Sequence, residues 1–114
     1  MPKAVRPKSL SGVTVKVSTG CGNSYVTCNS TPEGPFEVFC RLGKAGGCAN
    51  CQMEALTRSI TLGLRYGVPA EEYVRQLSNL GCPSSAIDSQ YGEVQSCPEA
   101  VAKVMHDVWG SAHG

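Results

Sequence analysis

Val13, Val15 and Val17 alternate with Thr14, Lys16 and Ser18, the period-two signature of a half-buried strand. The turn residues Thr19-Gly20-Cys21-Gly22-Asn23 break that run, and Tyr25 to Asn29 reads as a short second strand closed by Thr31-Pro32-Glu33-Gly34-Pro35. A third strand, Phe36 to Leu42, puts Phe36, Val38, Cys40 and Leu42 on one face and Glu37, Phe39 and Arg41 on the other. Short strands with tight connections predict an antiparallel meander.

The period lengthens after Gly47. Between Cys48 and Tyr66 the polar residues Glu54, Arg58, Thr61 and Arg65 form one stripe. Met53, Leu56, Ile60 and Leu64, flanked by Ala55, Leu62 and Tyr66, form a wide apolar face, so this helix is expected to be the central one against the sheet. Gly67 supplies a C-terminal cap, and Pro69 with Glu71 and Glu72 opens a second helix carrying Val74, Leu77 and Leu80 inward and stopped by Gly81. Residues 82–95 read as a loop. Ser96-Cys97-Pro98-Glu99 starts a third helix: Ser96 with Glu99 fits a capping box, whereas Pro98 at the first helical position would make Cys97 the cap. Val101, Val104, Met105 and Val108 face inward, with Trp109 anchoring the end. Strands followed by helices imply an α+β fold, a three-stranded antiparallel sheet and then three helices.

At 114 residues there is room for one core. Residues 1–11 read as a flexible basic lead-in, 12–109 as the single domain and 110–114 as a tail. The 41% hydrophobic content argues against disorder. No apolar run approaches a membrane span, no signal-peptide core is visible, and a cytoplasmic location is expected. The net charge of +1 argues against bulk nucleic-acid or membrane binding, although Lys3, Arg6, Lys8 and Lys16 all precede the first acid, Glu33. An unpaired sheet edge leaves room for a homo-oligomer.

The seven cysteines change this picture most, because a reducing cytosol disfavours a disulfide scaffold and an odd number cannot pair completely. Cys21, Cys48, Cys82 and Cys97 stand at turns and helix ends, where backbones can converge to present four thiolates to a metal, with zinc the expected ion. Helix N-termini favour the thiolate at Cys48 and Cys97. The alternative, reduced thiols acting as small hydrophobes, stays open. Cys48-Ala49-Asn50-Cys51 is a Cys-x-x-Cys at a helix start, open to redox exchange or to Cys51 as a further ligand, whereas Cys28 and Cys40 read as structural. Between strand and helix, Arg41, Gly43, Lys44, Gly46 and Gly47 could cradle a phosphate, or the glycines could merely serve a turn needing positive φ. His106 and His113 read as surface residues. No hydrolase constellation is present.

Thr19-Gly20-Cys21-Gly22, Pro35-Phe36-Glu37-Val38-Phe39, Arg41-Leu42-Gly43-Lys44-Ala45-Gly46-Gly47-Cys48, Cys82-Pro83 and Ser96-Cys97-Pro98-Glu99-Ala100 together resemble the TSCPD domain. That domain is found at the C-terminus of adenosylcobalamin-dependent, class II ribonucleotide reductases and in small stand-alone proteins. The resemblance covers roughly residues 12–108. The name-giving Thr-Ser-Cys-Pro-Asp is Gln95-Ser96-Cys97-Pro98-Glu99 here, which keeps a carboxylate for helix capping. Cys28, Cys40 and Cys51 look like additions.

The resemblance implies a module attached to deoxyribonucleotide synthesis, with metal binding through Cys21, Cys48, Cys82 and Cys97. It implies no catalysis by this chain, because ribonucleotide reduction needs a large barrel that 114 residues cannot supply. Beginning at its own Met1, the chain reads as a stand-alone protein or an excised domain. The first functional expectation is therefore a non-catalytic partner of a class II ribonucleotide reductase. The second is a nucleotide or phosphate binder using the glycine-rich loop 43–47, as a sensor or a phage sequestering protein. The third is a thiol redox protein acting through Cys48 and Cys51.

Overall fold

The computed structural model describes residues 2–44 and 46–110, so Ala45 of the glycine-rich loop and His113 of the tail lie outside the described residues. The fold is the expected α+β arrangement. Strands β1 (Ser11–Thr19), β2 (Gly22–Thr31) and β3 (Gly34–Leu42) form an antiparallel sheet in the order β1-β2-β3. Helices α1 (Gly47–Arg65) and α2 (Ala70–Leu77) follow, then a hairpin of β4 (Ala86–Asp88) and β5 (Gly92–Val94), and finally α3 (Cys97–Trp109). None of the described helices is long and apolar enough to cross a membrane.

Register sets the two faces of the sheet. Val15 pairs with Val26 and Val26 with Cys40, while Cys28 pairs with Val38, so the alternating apolar positions fall on one face. That face meets α3, whose Ala100, Val101, Val104 and Met105 are fully buried in the same core as Val17, Val26, Cys28 and Val38. Trp109 anchors the far end of α3, its indole N–H donating to Ser30 Oγ at 2.8 Å. α2 packs mainly on α3.

α1 makes the longest helix–sheet contact, and it does so along the edge of β3. An edge strand presents unpaired backbone groups that need partners. Asn50 supplies both at Leu42, accepting its N–H at 2.8 Å and donating to its carbonyl at 3.2 Å. About three turns further along the helix, Thr61 Oγ1 does the same for Val38, at 3.0 and 3.1 Å. Each such bond contributes about 1 kcal/mol net. This explains two departures from the simple amphipathic pattern. Thr61, on the expected polar stripe, turns to the strand edge, and Thr57 is buried, whereas Leu62 and Tyr66 are exposed.

The expected Gly81 stop of the second helix comes earlier. α2 ends at Leu77 because the Ser78 hydroxyl donates back to the Val74 carbonyl and Asn79 takes a left-handed φ of 63°, which leaves Leu80 exposed beyond the helix. The expected loop at 82–95 contains the β4–β5 hairpin. Asp88 builds it: its Oδ2 accepts the N–H groups of Gln90 and Tyr91, and its Oδ1 accepts the Ser18 N–H at 2.8 Å, tying the hairpin to β1.

The lead-in is tied at two points. The Ala4 N–H donates to the Arg65 carbonyl and Arg65 Nε donates to the Ala4 carbonyl. Arg6 makes a bidentate pair with Glu37, both contacts 3.0 Å, over a Glu37 side chain that is 3% exposed and also accepts from Asn29. Desolvation pushes the Glu37 carboxyl up. The hydrogen bonds from Arg6 and Asn29, with the charges of Arg6 and Arg65, outweigh it and hold the group below its usual value. The Asp88 carboxyl is also lowered, chiefly by the Ser18 N–H, against an opposing desolvation.

A carboxylate lowered in the fold stabilises it above the unfolded-state value, about 4, and loses that contribution as pH falls through the folded value. Arg6→Ala removes the main force lowering Glu37. We therefore expect the variant's acid-unfolding midpoint, followed by far-ultraviolet circular dichroism, to move to higher pH than that of the wild type. Coincident midpoints would mean that the pair contributes nothing.

Candidate metal centre at the cysteine end of the sheet

One end of the molecule collects the β1–β2 turn, the C-terminal end of β3, and the N-termini of α1 and α3. The turn is built by Thr19, whose Oγ1 donates to the Gly22 carbonyl at 2.7 Å and accepts the Cys21 N–H at 3.2 Å. The Gly43 N–H donates to the Asn23 carbonyl, fixing the exit of β3 beside it. At Gly20 the backbone approaches Ser84 so closely that a Cβ would lie 2.4 Å from the Ser84 carbonyl oxygen. Only glycine lets the Cys21 turn and the loop after Cys82 pack this tightly.

The start of α3 fixes Cys82 and Cys97 relative to each other. Ser96 rather than Cys97 is the N-cap, accepting the Glu99 N–H at 3.1 Å, and Pro98 falls one residue inside the helix, while the Glu99 carboxylate reaches back past the cap to the Gln95 N–H. The Ser96 hydroxyl donates to the Leu80 carbonyl. The buried Glu99 carboxylate accepts from the Gln95 N–H at 2.9 Å and from the Asn79 N–H at 2.6 Å. The Cys82 N–H in turn donates to the Gln95 carbonyl at 3.0 Å. The turn bearing Cys82 is thus stitched to the helix bearing Cys97.

Of the four expected ligands, Cys21 and Cys82 act on Cys97. Burial pushes the Cys97 thiol up, a 3.6 Å hydrogen bond to Thr19 Oγ1 pulls the other way, and the neighbouring Cys21 and Cys82 sulfurs push it up further. This corrects one expectation: burial and neighbouring sulfur outweigh the helix N-terminus at Cys97. Cys21 and Cys82 are exposed, and Cys82 Sγ donates to the Ser84 carbonyl at 2.9 Å. Cys48 and Cys51 are exposed on the first turns of α1, at the same end, and neither is among the groups acting on Cys97. Among the described residues, no three His, Cys, Asp or Glu side chains stand close enough to share an ion.

Three residues of this end escape a sequence reading. Cys40 is buried, its thiol pushed up to about 12 chiefly by desolvation and then by Cys97, which makes it the inner neighbour of these thiols. Its alternation with Val38 and Leu42 marks it as inward, but only the packing of α3 across the sheet brings Cys97 over it. Thr19 and Ser84 are the other two, and nothing in their spacing from Cys97 and Cys21 announces them. Cys28 is buried in the core with its thiol also pushed up to about 12 by desolvation.

The glycine-rich loop is less assembled. The Gly43 N–H is already used, and Gly43, Gly46 and Gly47 are absent from the glycines with positive φ. Gly46 is the N-cap of α1, with no side-chain cap and no acid in the first turn. Lys44 is exposed. Arg41 instead projects from the outer face of the sheet, lining a cavity of about 550 Å³ with Asn50, Glu54 and Arg58.

A family model described as the TSCPD domain matches residues 1–108. The chain is 37% identical over 75 residues to a protein described as "Vitamin B12-dependent ribonucleotide reductase" from Streptantibioticus cattleyicolor, covering 65% of this chain and 12% of that protein. A protein of the same description from Streptomyces clavuligerus matches at 37% over 75 residues, covering 8% of its length. One from Agrobacterium fabrum matches at 35% over 69 residues, which is 60% of this chain and 5% of that protein. This chain therefore spans a small fraction of the relatives it matches. No solved structure matches.

Thiol accessibility follows from these placements. In metal-free protein, a chromogenic disulfide reagent should titrate Cys21, Cys48, Cys51 and Cys82 rapidly, and Cys28, Cys40 and Cys97 only after unfolding. Rapid reaction of Cys97 in the folded protein, located by mass spectrometry, would contradict the burial described.

Proposed function

Because the chain belongs to the TSCPD domain family, we propose that it is a non-catalytic module serving a B12-dependent ribonucleotide reductase, organised by zinc at its cysteine end. The observation that supports this reading is that Cys21 and Cys82, from two other segments, lie near enough to act on the buried Cys97 thiol, with Cys48 placed at the same end. The donor set fits the ion. Thiolates suit zinc, and the exposed Cys21 and Cys82 side chains lie on surface turns from which they could swing toward Cys97. Bound zinc would supply a cross-link between the β1–β2 turn, the Cys82 loop and α3. Cys97 holds its proton in the free protein, so binding would release it and strengthen with rising pH.

The similarity to reductases supports the partner, and the small share of those proteins that this chain spans supports a non-catalytic role. In this reading the chain contributes a folded, metal-stapled surface to deoxyribonucleotide synthesis.

A second reading rests on the uncapped N-terminus of α1 beside Lys44, where amide groups and a cation could hold a nucleotide phosphate. A third, thiol exchange through Cys48 and Cys51, is supported by the exposure of both.

One experiment separates them. Elemental analysis of the purified chain should find one zinc per chain, retained by Lys44→Ala and Cys51→Ser and lost from Cys82→Ser and Cys97→Ser. A chain that folds equally well without metal would overturn the metal claim. Thermal stabilisation by a nucleoside triphosphate that Lys44→Ala abolishes would then favour the second reading, and disulfide-reductase activity abolished by Cys51→Ser the third.

A further inference from the structure

The outer face of the three-stranded sheet is covered at one end only. There Arg6 and the lead-in close over Asn29 and Glu37, while the rest of the face is open. Two cross-strand rows lie on the open part: Lys16, Tyr25 and Arg41 in one, and Thr14, Thr27 and Phe39 in the other. Tyr25 and Phe39 are diagonal neighbours on adjacent strands, so their rings are roughly 7–8 Å apart at the backbone. They are 39% and 47% exposed, unusually open for aromatic side chains in mid-strand. Both are held in place: the Gly43 backbone lies against the Tyr25 ring, and Phe39 borders a cavity with Lys3, Arg58, Leu62 and Arg65.

The charges on this side are also mostly positive. Glu37 is buried under Arg6, and Glu54 is paired with Arg58 at 2.6 Å, which leaves Lys3, Lys16 and Arg41 facing solvent beside the two rings. The asymmetry runs through the chain. Residues 1–65, which build the sheet and α1, hold eight Lys and Arg against three acids, whereas residues 66–114 hold two against six. The whole-chain charge of +1 hides this division, and it excludes bulk binding of duplexes rather than a local polyanion site.

We propose that the open face of the three-stranded sheet binds single-stranded nucleic acid, with successive bases stacked on Tyr25 and Phe39 and the phosphates held by Lys3, Lys16 and Arg41. Unpaired bases are the ligand that uses both properties of the face. Stacking needs exposed rings and free base faces, and the flanking cations need a chain of negative charge. A duplex hides its base faces. An acidic peptide would satisfy the cations and leave the rings unused. The site is distinct from the cysteine end, so this proposal stands whether or not the chain binds zinc.

Fluorescence anisotropy of the full chain with end-labelled twelve-nucleotide oligo(dT), oligo(U) and a hairpin duplex tests it. Both single strands should bind saturably, with Kd on the order of 10 µM at low salt, and the duplex markedly more weakly. A preference for oligo(U) or oligo(dT) would assign the strand as RNA or DNA. With about three phosphates contacted, log affinity should fall against log salt with a slope of about −2. Tyr25→Ala/Phe39→Ala should weaken binding at least about tenfold with circular dichroism unchanged, since both rings are exposed. Arg41→Glu, which leaves the rings in place, should weaken it as well. Wild-type affinity in the double variant, equal binding of duplex and single strand, equally strong competition by polyglutamate, or no saturation by about 100 µM would each overturn the proposal.

Discussion

The buried Glu99 carboxylate is the constraint on which the cysteine end depends. It accepts the Gln95 and Asn79 N–H groups at once, while the Ser96 hydroxyl caps α3 and binds the Leu80 carbonyl. Each of these hydrogen bonds contributes about 1 kcal/mol net, and one side chain accepting two of them fixes the turn preceding Cys82 against the start of α3. Without it, the chain between α2 and the hairpin would have no reason to lie where Cys82 meets Cys97. The five residues Gln95 to Glu99, the counterpart of the motif that names the family, are in this light a device for joining two cysteine-bearing segments.

The other contacts at this end extend the same logic. Thr19 shapes the Cys21 turn and accepts the Cys97 thiol, and Gly20 allows the turn to meet Ser84. Asp88 ties the hairpin between these segments to β1. Polar groups with local partners, rather than a large apolar interface, therefore position the sulfur atoms. A domain of this size has limited core, and a cross-linking ion at this end would act on the part of the fold least supported by burial.

Much of the fold is legible in the sequence because it rests on periodicity. The three strands, their faces, the three helices and the Ser96 cap all follow from alternation, helical stripes and one capping signature. What could not be read depends on contacts distant in the chain. Thr61 belongs to a polar stripe by spacing, yet it faces the β3 edge because a strand edge needs partners. Asp88 sits in a run of turn residues, and only its bond to Ser18 shows that the run is an ordered hairpin. At the site, place at turns and helix ends separates Cys21, Cys48, Cys82 and Cys97 from the other cysteines, but it does not tell Cys48 from the three whose thiols interact. The nearness of Cys40 and the burial that raises Cys97 depend on how α3 crosses the sheet, which no local pattern encodes. The charge division is present in the sequence but hidden by its near-neutral total, and it emerges once the residues are counted by the elements they build.

Amide hydrogen exchange on Glu99→Gln tests the central constraint most directly. A glutamine side chain has one acceptor oxygen in place of two and turns a donor toward the other amide. Protection should be lost selectively at Asn79, Cys82 and Gln95, with the β2 amides unchanged and the Cys97 thiol becoming reactive in the folded protein. Unchanged protection at Asn79 and Cys82, with Cys97 still shielded, would show that something other than this carboxylate holds the cysteine end together.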